Sequence, residues 1–208
     1  MEGYLQQIWD GLRQTGWLEA VAVVAGIISV WYSRREHVLV YPVGLVNTVI
    51  YIWLSLEGQL YGEASVNLYY TIVSLYGWFA WTRRDEHRKT ILRIRHSTGR
   101  EWGMQSAFFL LCFVIIYACL AWLKKGFAPG AIPWADALAS ASAYTGMWLM
   151  ARKKVESWYW WILTDLVSVP LYTVKGYAFT GLYYLILLFM AVAGLLEWQR
   201  KARRTEHD

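Results

Sequence analysis

Charge is scarce in this chain, and its placement matters more than its amount. Only 17% of the 208 residues are Asp, Glu, Lys or Arg, while 57% are hydrophobic. A soluble domain is usually nearer half apolar. Charge is almost absent from seven stretches: Trp17–Ser33 (Glu19 alone), Val38–Leu56, Ala64–Thr82, Trp102–Leu123, Trp134–Ala151 (Asp136 alone), Ser157–Val174 (Asp165 alone) and Gly176–Leu196. A run of about 18 or more uncharged residues reads as a transmembrane helix. The chain is therefore expected to be an all-α integral membrane protein with seven transmembrane helices and almost no soluble domain.

Other absences narrow the function. The two cysteines, Cys112 and Cys119, lie one heptad apart in the fourth run. That spacing on one helix is too long for a bridge, so they read as packing thiols. The four histidines, His37, His87, His96 and His207, all fall in loops or the tail. No metal cluster and no nucleophile–base pair is placed within the membrane, so an enzyme is not supported and no cofactor is implied. No G-x-x-x-x-G-K-[ST] loop is present, which excludes a primary pump of that type. The first 16 residues show no small-residue cleavage pattern and read as an uncleaved tail.

The basic residues that exist are unevenly shared. Of 20, 16 fall in one alternating set of loops: Arg34–Arg35, the loop 83–101, Arg152–Lys154 and the tail. The other set holds Arg13, Lys124, Lys125 and Lys175. The positive-inside rule then places the N-terminus outside and the C-terminus in the cytoplasm. A basic surface beside anionic lipid explains this better than nucleic-acid binding, for which no reading motif is present.

The chain also repeats itself. At an offset of 117 or 118, Trp17 matches Trp134, Glu19 matches Asp136, Arg34 matches Arg152 and Asn47 matches Asp165. Gly58 matches Gly176, Gly77 matches Gly194 and Trp81 matches Trp198. Both units begin outside, so they are parallel repeats, and the fourth helix is the inversion linker between them. The expected division is a tail (1–16), a first three-helix repeat (17–82), a basic cytoplasmic loop (83–101), linker helix and outer loop (102–133), a second repeat (134–198) and a cytoplasmic tail (199–208). Such a duplicated bundle places a substrate site at the repeat interface. A seven-helix receptor or a scaffold is the remote alternative.

Polar residues inside the runs are costly, roughly 2.5–3.5 kcal/mol for Asp at a helix centre. Asp165 is the deepest acid and shares a helical face with Trp158 and Trp161, while Trp160 points elsewhere. Asn47 sits at the equivalent depth, Asn67 a few residues into the third helix, and Glu63 and Asp136 near outer helix ends. Each has a bland reading. Asp165 pairs with a hydroxyl or backbone group, Asn47 glues helices, and Glu63 and Asp136 are helix-start acids. Trp17, Trp81, Trp102, Trp134 and Trp198 suit an interfacial belt. Taken together, stacked aromatics and nearby amides suit a cationic, ring-bearing, polar small molecule.

Four blocks, "YPVGLVNTVIYIW" (Tyr41–Trp53), "YGEASVNLYYTIVSLYGWFAW" (Tyr61–Trp81), "WADALASA" (Trp134–Ala141) and "WYWWILTDLVSVPLYTVKG" (Trp158–Gly176), resemble the PnuC family of nicotinamide riboside transporters. The resemblance runs from about Trp17 to Arg200. It implies a full-length SWEET-like fold of 3+1+3 helices, often trimeric, in the cell inner membrane. It also implies facilitated diffusion by alternating access, with a cytosolic kinase trapping the vitamin precursor by phosphorylation. The family's W-x-x-W motif falls on Trp158 and Trp161, followed by the expected acid, Asp165, and its helix-two asparagine on Asn47. Asn67, Glu63 and Tyr51 complete the candidate substrate-binding set. The family pattern tends to have glutamine where this chain has Asn67. Sister members carry thiamine or riboflavin, so thiamine, or riboflavin, is the alternative substrate.

Overall fold

The computed structural model describes residues 16–57, 61–84, 91–124 and 132–205. It contains α1 (Trp17–Arg34), α2 (Val40–Glu57), α3 (Tyr61–Thr82), α4 (Gly99–Leu123), α5 (Pro133–Ala151), α6 (Ser157–Val174) and α7 (Ala178–Thr205). An 18-residue helix spans about 27 Å, close to the hydrocarbon thickness of a bilayer. By length and composition, α1, α2, α4 and α7 are apolar enough to cross a membrane. The helices α3, α5 and α6 are as long, but they carry the polar and small residues of the interior.

Local signals set the helix ends. Thr98 and Glu101 form a reciprocal capping box that starts α4, which satisfies two otherwise orphan N–H groups. Pro133 stands at the first turn of α5, where its missing N–H costs nothing. Gly176, at φ 84°, follows the end of α6, a backbone region that glycine enters freely. Its repeat partner Gly58 lies outside the described residues, as do the tail 1–15 and the loop segments 85–90 and 125–131.

The packing order is a ring. Helix α1 packs on α2, α2 on α3, α3 on α5, α5 on α6, α6 on α7, and α7 returns to α1. Helix α4 stands outside the ring, packed on α5. This is the 3+1+3 arrangement, with the two three-helix units meeting at α3–α5 and α1–α7. Because α5 has three neighbours, it needs a slim profile. Its buried Ala135, Ala137, Ala139, Ala141, Ser142, Ala143, Thr145 and Gly146 supply one, as small residues let membrane helices approach closely. The outer helix α4 buries only Gln105 among its residues. That amide accepts the Trp160 indole N–H at 3.2 Å, and Trp160 packs on Phe109 at 4.8 Å. Trp160 thus faces the linker helix.

The repeat is visible in the packing, and most clearly at the end of the ring that carries the basic loops. Tyr41 at the start of α2 lies over Gly77 of α3, and Trp158 at the start of α6 lies over Gly194 of α7. A methyl group on either glycine would come within 2.5 Å of the ring above it. Gly194→Val is therefore expected to cost about 1–3 kcal/mol through overpacking, read as a lowered melting temperature of detergent-solubilised protein. Gly16, with open space around it, serves as the control.

Two expectations need correction at this end. Trp81 and Trp198 are not belt residues, being 4% and 0% exposed. The Trp81 indole donates to the Ala151 carbonyl at the end of α5, 3.1 Å away. The Trp198 indole donates to the carbonyls of Ser33 and Arg34 at the end of α1, at 3.1 and 3.2 Å. Each ring satisfies helix-end carbonyls of the opposite repeat, which draws both indoles inward. Trp17 and Trp134, by contrast, are 75% and 60% exposed, as a belt requires.

The second correction concerns "RKK". Lys153 and Lys154 do not face lipid headgroups. Both are buried, Lys153 pairing with Glu36 at 2.7 Å and Lys154 with Glu101 at 2.6 Å. Beside them, buried Glu156 accepts from the Ser97 backbone N–H at 2.9 Å and its hydroxyl at 2.7 Å. These bonds fold residues 94–98 onto the 152–156 turn, where Val155 N–H donates to the Arg95 carbonyl at 3.2 Å. Buried charges persist only when paired in this way.

Candidate functional site

Of the polar residues that the sequence placed within the membrane, Asp165 is fully buried and Asn47 and Asn67 are half-buried. Asp165, on the inner face of α6, is 2% exposed. Tyr70 of α3 and Tyr183 and Tyr184 of α7 lie within electrostatic reach of its carboxylate. Among the described residues, no hydrogen bond to the Asp165 carboxylate is found. An acid held at this depth among aromatic rings is costly to insert, and such residues mark binding or transport sites.

Trp161 lies one turn before Asp165. Its indole packs against Gly146 of α5, where an added Cβ would sit 3.2 Å away, and its ring lies 6.3 Å from that of Tyr70. Tyr70 also meets Tyr144 of α5 edge-on at 6.3 Å, and Tyr144 lies 4.5 Å from Tyr69. On the far side Tyr172 stacks on Tyr184 at 5.2 Å. Four helices, α3, α5, α6 and α7, thus contribute to one aromatic lining around a carboxylate.

Helix α2 contributes Asn47. Its amide nitrogen donates to the Ala22 carbonyl of α1 at 2.7 Å, so it does join two helices. Gly26 of α1 leaves room for two groups at once: a Cβ there would meet the Tyr183 hydroxyl at 2.5 Å and the Asn47 amide nitrogen at 3.0 Å. Tyr183 therefore lies beside Asn47 over Gly26 and within electrostatic reach of Asp165. Tyr51, one turn after Asn47, is half-buried and within electrostatic reach of Tyr183. Asn67 is also half-buried, and it shares a face of α3 with Tyr70 at i, i+3. The side chain of Glu63 lies outside the described residues. Asp136 is a helix-start acid: it accepts from the Ile132 N–H at 2.8 Å and pairs with Lys175 at 2.5 Å.

Trp158 and Trp161 do not meet the same surroundings. Trp158 is 1% exposed, packed over Gly194 and edge-on to Trp198 at 5.6 Å. Its indole N–H has no hydrogen-bond partner among the described residues. Asp165 and Trp161 share one face of α6, and Tyr183 lies within electrostatic reach of both Asp165 and Tyr51 and beside Asn47 at Gly26, while Trp158 is set nearer the basic end. Sequence reasoning missed Tyr70, Tyr144, Tyr183 and Tyr184. Their signal was depth, since tyrosines belong to the membrane interfaces and these lie in mid-run.

A family model described as "Nicotinamide mononucleotide transporter" matches residues 16–200. The chain is 26% identical to the nicotinamide riboside transporter PnuC of Escherichia coli strain K12, covering 94% of this chain and 90% of that protein. It is 29% identical to the riboflavin/roseoflavin transporter RibM of Streptomyces davaonensis, covering 90% of this chain and 87% of that protein. Among solved structures, the crystal structure of the vitamin B3 transporter PnuC superposes with a TM-score of 0.73 at 22% identity, covering 97% of this chain and 90% of that one. That likeness supports the fold. With the family model spanning most of the chain and the fold in agreement, the chain is a membrane transporter belonging to the family that the nicotinamide mononucleotide transporter model describes.

Proposed function

We propose that this protein carries nicotinamide riboside across the cell inner membrane by facilitated diffusion. The observation that carries the reading is the buried carboxylate of Asp165 inside an aromatic lining. Nicotinamide riboside is a cationic ring joined to a sugar. Aromatic faces attract such a cation, and a single carboxylate offsets its charge. Trp161 supplies the stacking surface, and Asn47, Asn67 and Tyr51 supply groups for the amide and sugar hydroxyls. The E. coli relative named for the same substrate supports the assignment.

The two three-helix units, 17–82 and 134–198, rock about this site in alternating access. The basic end is cytoplasmic and the N-terminus outside, because 16 of the 20 Lys and Arg residues lie at that end. Glu63 belongs to the same substrate path, and Trp158 stands between the site and the basic end. A cytosolic nucleoside kinase keeps uptake inward by phosphorylating the product, and the protein assembles as a trimer.

A second reading is riboflavin, favoured by the Streptomyces relative. Riboflavin is a neutral ring compound and does not need the Asp165 charge, whereas thiamine does. The test is a titration of purified protein against nicotinamide riboside, thiamine and riboflavin, with uptake into liposomes in parallel. The expected result is binding and uptake of nicotinamide riboside, with Asp165→Asn weakening binding about tenfold or more. Saturable riboflavin uptake with no response to nicotinamide riboside would replace the first reading with the second.

A further inference from the structure

The two short turns at the basic end, after α1 and after α5, correspond in the repeat. Glu36 and Lys153 are 117 residues apart, the offset that also relates Tyr41 to Trp158 and Trp81 to Trp198. Both have left-handed backbones, with φ of 60° and 52°, and they are the only non-glycine residues with positive φ among those described. Glycine would adopt this conformation without penalty. Long charged side chains stand at both positions instead, and they meet each other, Lys153 Nζ to Glu36 Oε1 at 2.7 Å. Strain kept at two equivalent positions points to a use for the side chains.

Their surroundings sharpen this. The Lys153 ammonium lies 4.7 Å from the centre of the Trp81 ring. Lys201 reaches the other Glu36 oxygen at 3.6 Å and Glu197 at 3.7 Å, and Glu197 pairs with Arg34 at 2.8 Å. Beneath lies a row of four rings, Tyr41, Trp81, Trp198 and Trp158, with successive centres 5.2, 6.1 and 5.6 Å apart. The row crosses from one repeat to the other. Its two outer members, Tyr41 Oη and Trp158 Nε1, are buried without hydrogen-bond partners among the described residues. Unmet polar atoms make this closed arrangement less favourable than packing alone would make it. A cavity of about 250 Å³, lined by Glu36, Val38, Trp81, Thr82, Arg84 and Lys153, opens beside the ion pair. Water can therefore enter as the pair separates.

We propose that Glu36 and Lys153 are gating residues: their ion pair, between equivalent turns of the two repeats, latches the basic end of the ring shut. The latch holds a plug whose left-handed turns and unpaired polar atoms favour release. When the pair parts, the two repeats separate at this end, and Tyr41 and Trp158 gain water. The proposal rests on the alternating-access reading above.

Amide hydrogen exchange of the full chain in nanodiscs tests it. Glu36→Gln and Lys153→Met are each expected to raise exchange at both turns, 35–39 and 152–156, by about tenfold or more, since either removes the ion pair that joins the turns, and Glu36→Gln also leaves the buried Lys153 charge without its partner. The double variant is expected to add little to either single variant. Glu36→Gly is the second probe. A side chain merely tolerated in its turn would be replaced with a gain in melting temperature and unchanged exchange at 152–156. A latch residue gives faster exchange there. A rise confined to the mutated turn, or additive effects in the double variant, overturns the latch. Vitamin uptake by the same proteins separates the two readings: coupled exchange without uptake of any vitamin retains the latch and rejects the transport cycle proposed.

Discussion

Trp198→Ala is expected to cost the protein about 3–5 kcal/mol of stability, the range for removing a fully buried tryptophan from a packed core. The ring is 0% exposed and touches Trp81 and Trp158. Its N–H also satisfies the carbonyls of Ser33 and Arg34, so its loss leaves the end of α1 underserved as well as opening a cavity. Trp198→Phe separates these contributions. It retains much of the packing and loses the hydrogen bonds, with an expected cost nearer 1 kcal/mol. Thermal unfolding in detergent reads both. Equal costs for the two variants would show that the hydrogen bonds, and not the packing, dominate.

Trp161→Ala is expected to weaken substrate binding about tenfold to a hundredfold, since stacking a ring on an aromatic side chain contributes about 1–3 kcal/mol. Its fold should survive, because Trp161 is half-buried and rests on a glycine rather than in the row of rings at the basic end. Trp158→Ala makes the contrast. That ring is wholly buried over Gly194, so its removal should lower the melting temperature far more than Trp161→Ala does. A titration with nicotinamide riboside and a melting curve on each variant check the pair. Unchanged affinity in Trp161→Ala would remove stacking from the mechanism.

Both predictions concern tryptophans of the second repeat, and they show how far a single dimension carries. Trp158 and Trp161 look alike in sequence: they stand seven and four residues before Asp165, on one helical face. Their roles diverge because α7 covers the first turn of α6, while α5 and α3 cover the second. Trp81 and Trp198 looked like belt residues because they end their apolar runs. They are interior because each run ends beside a helix terminus of the other repeat, whose carbonyls need donors.

The sequence by itself determined the seven helices, their all-α class and their duplication. Apolar run length is a direct consequence of bilayer thickness, and the 117-residue offset is carried residue by residue. It also marked Asp165 and Asn47, because polar groups in an apolar run stand out against their cost. Tertiary structure alone decided which faces turn inward. In a soluble helix, a polar face and an apolar face distinguish water from core. In a membrane both faces are apolar, and packing between helices has no hydrophobic contrast to announce it. The tyrosine lining, the burial of Lys153 and Lys154, and the meeting of Glu36 with Lys153 depend on how the ring closes, α1 against α7 and α3 against α5.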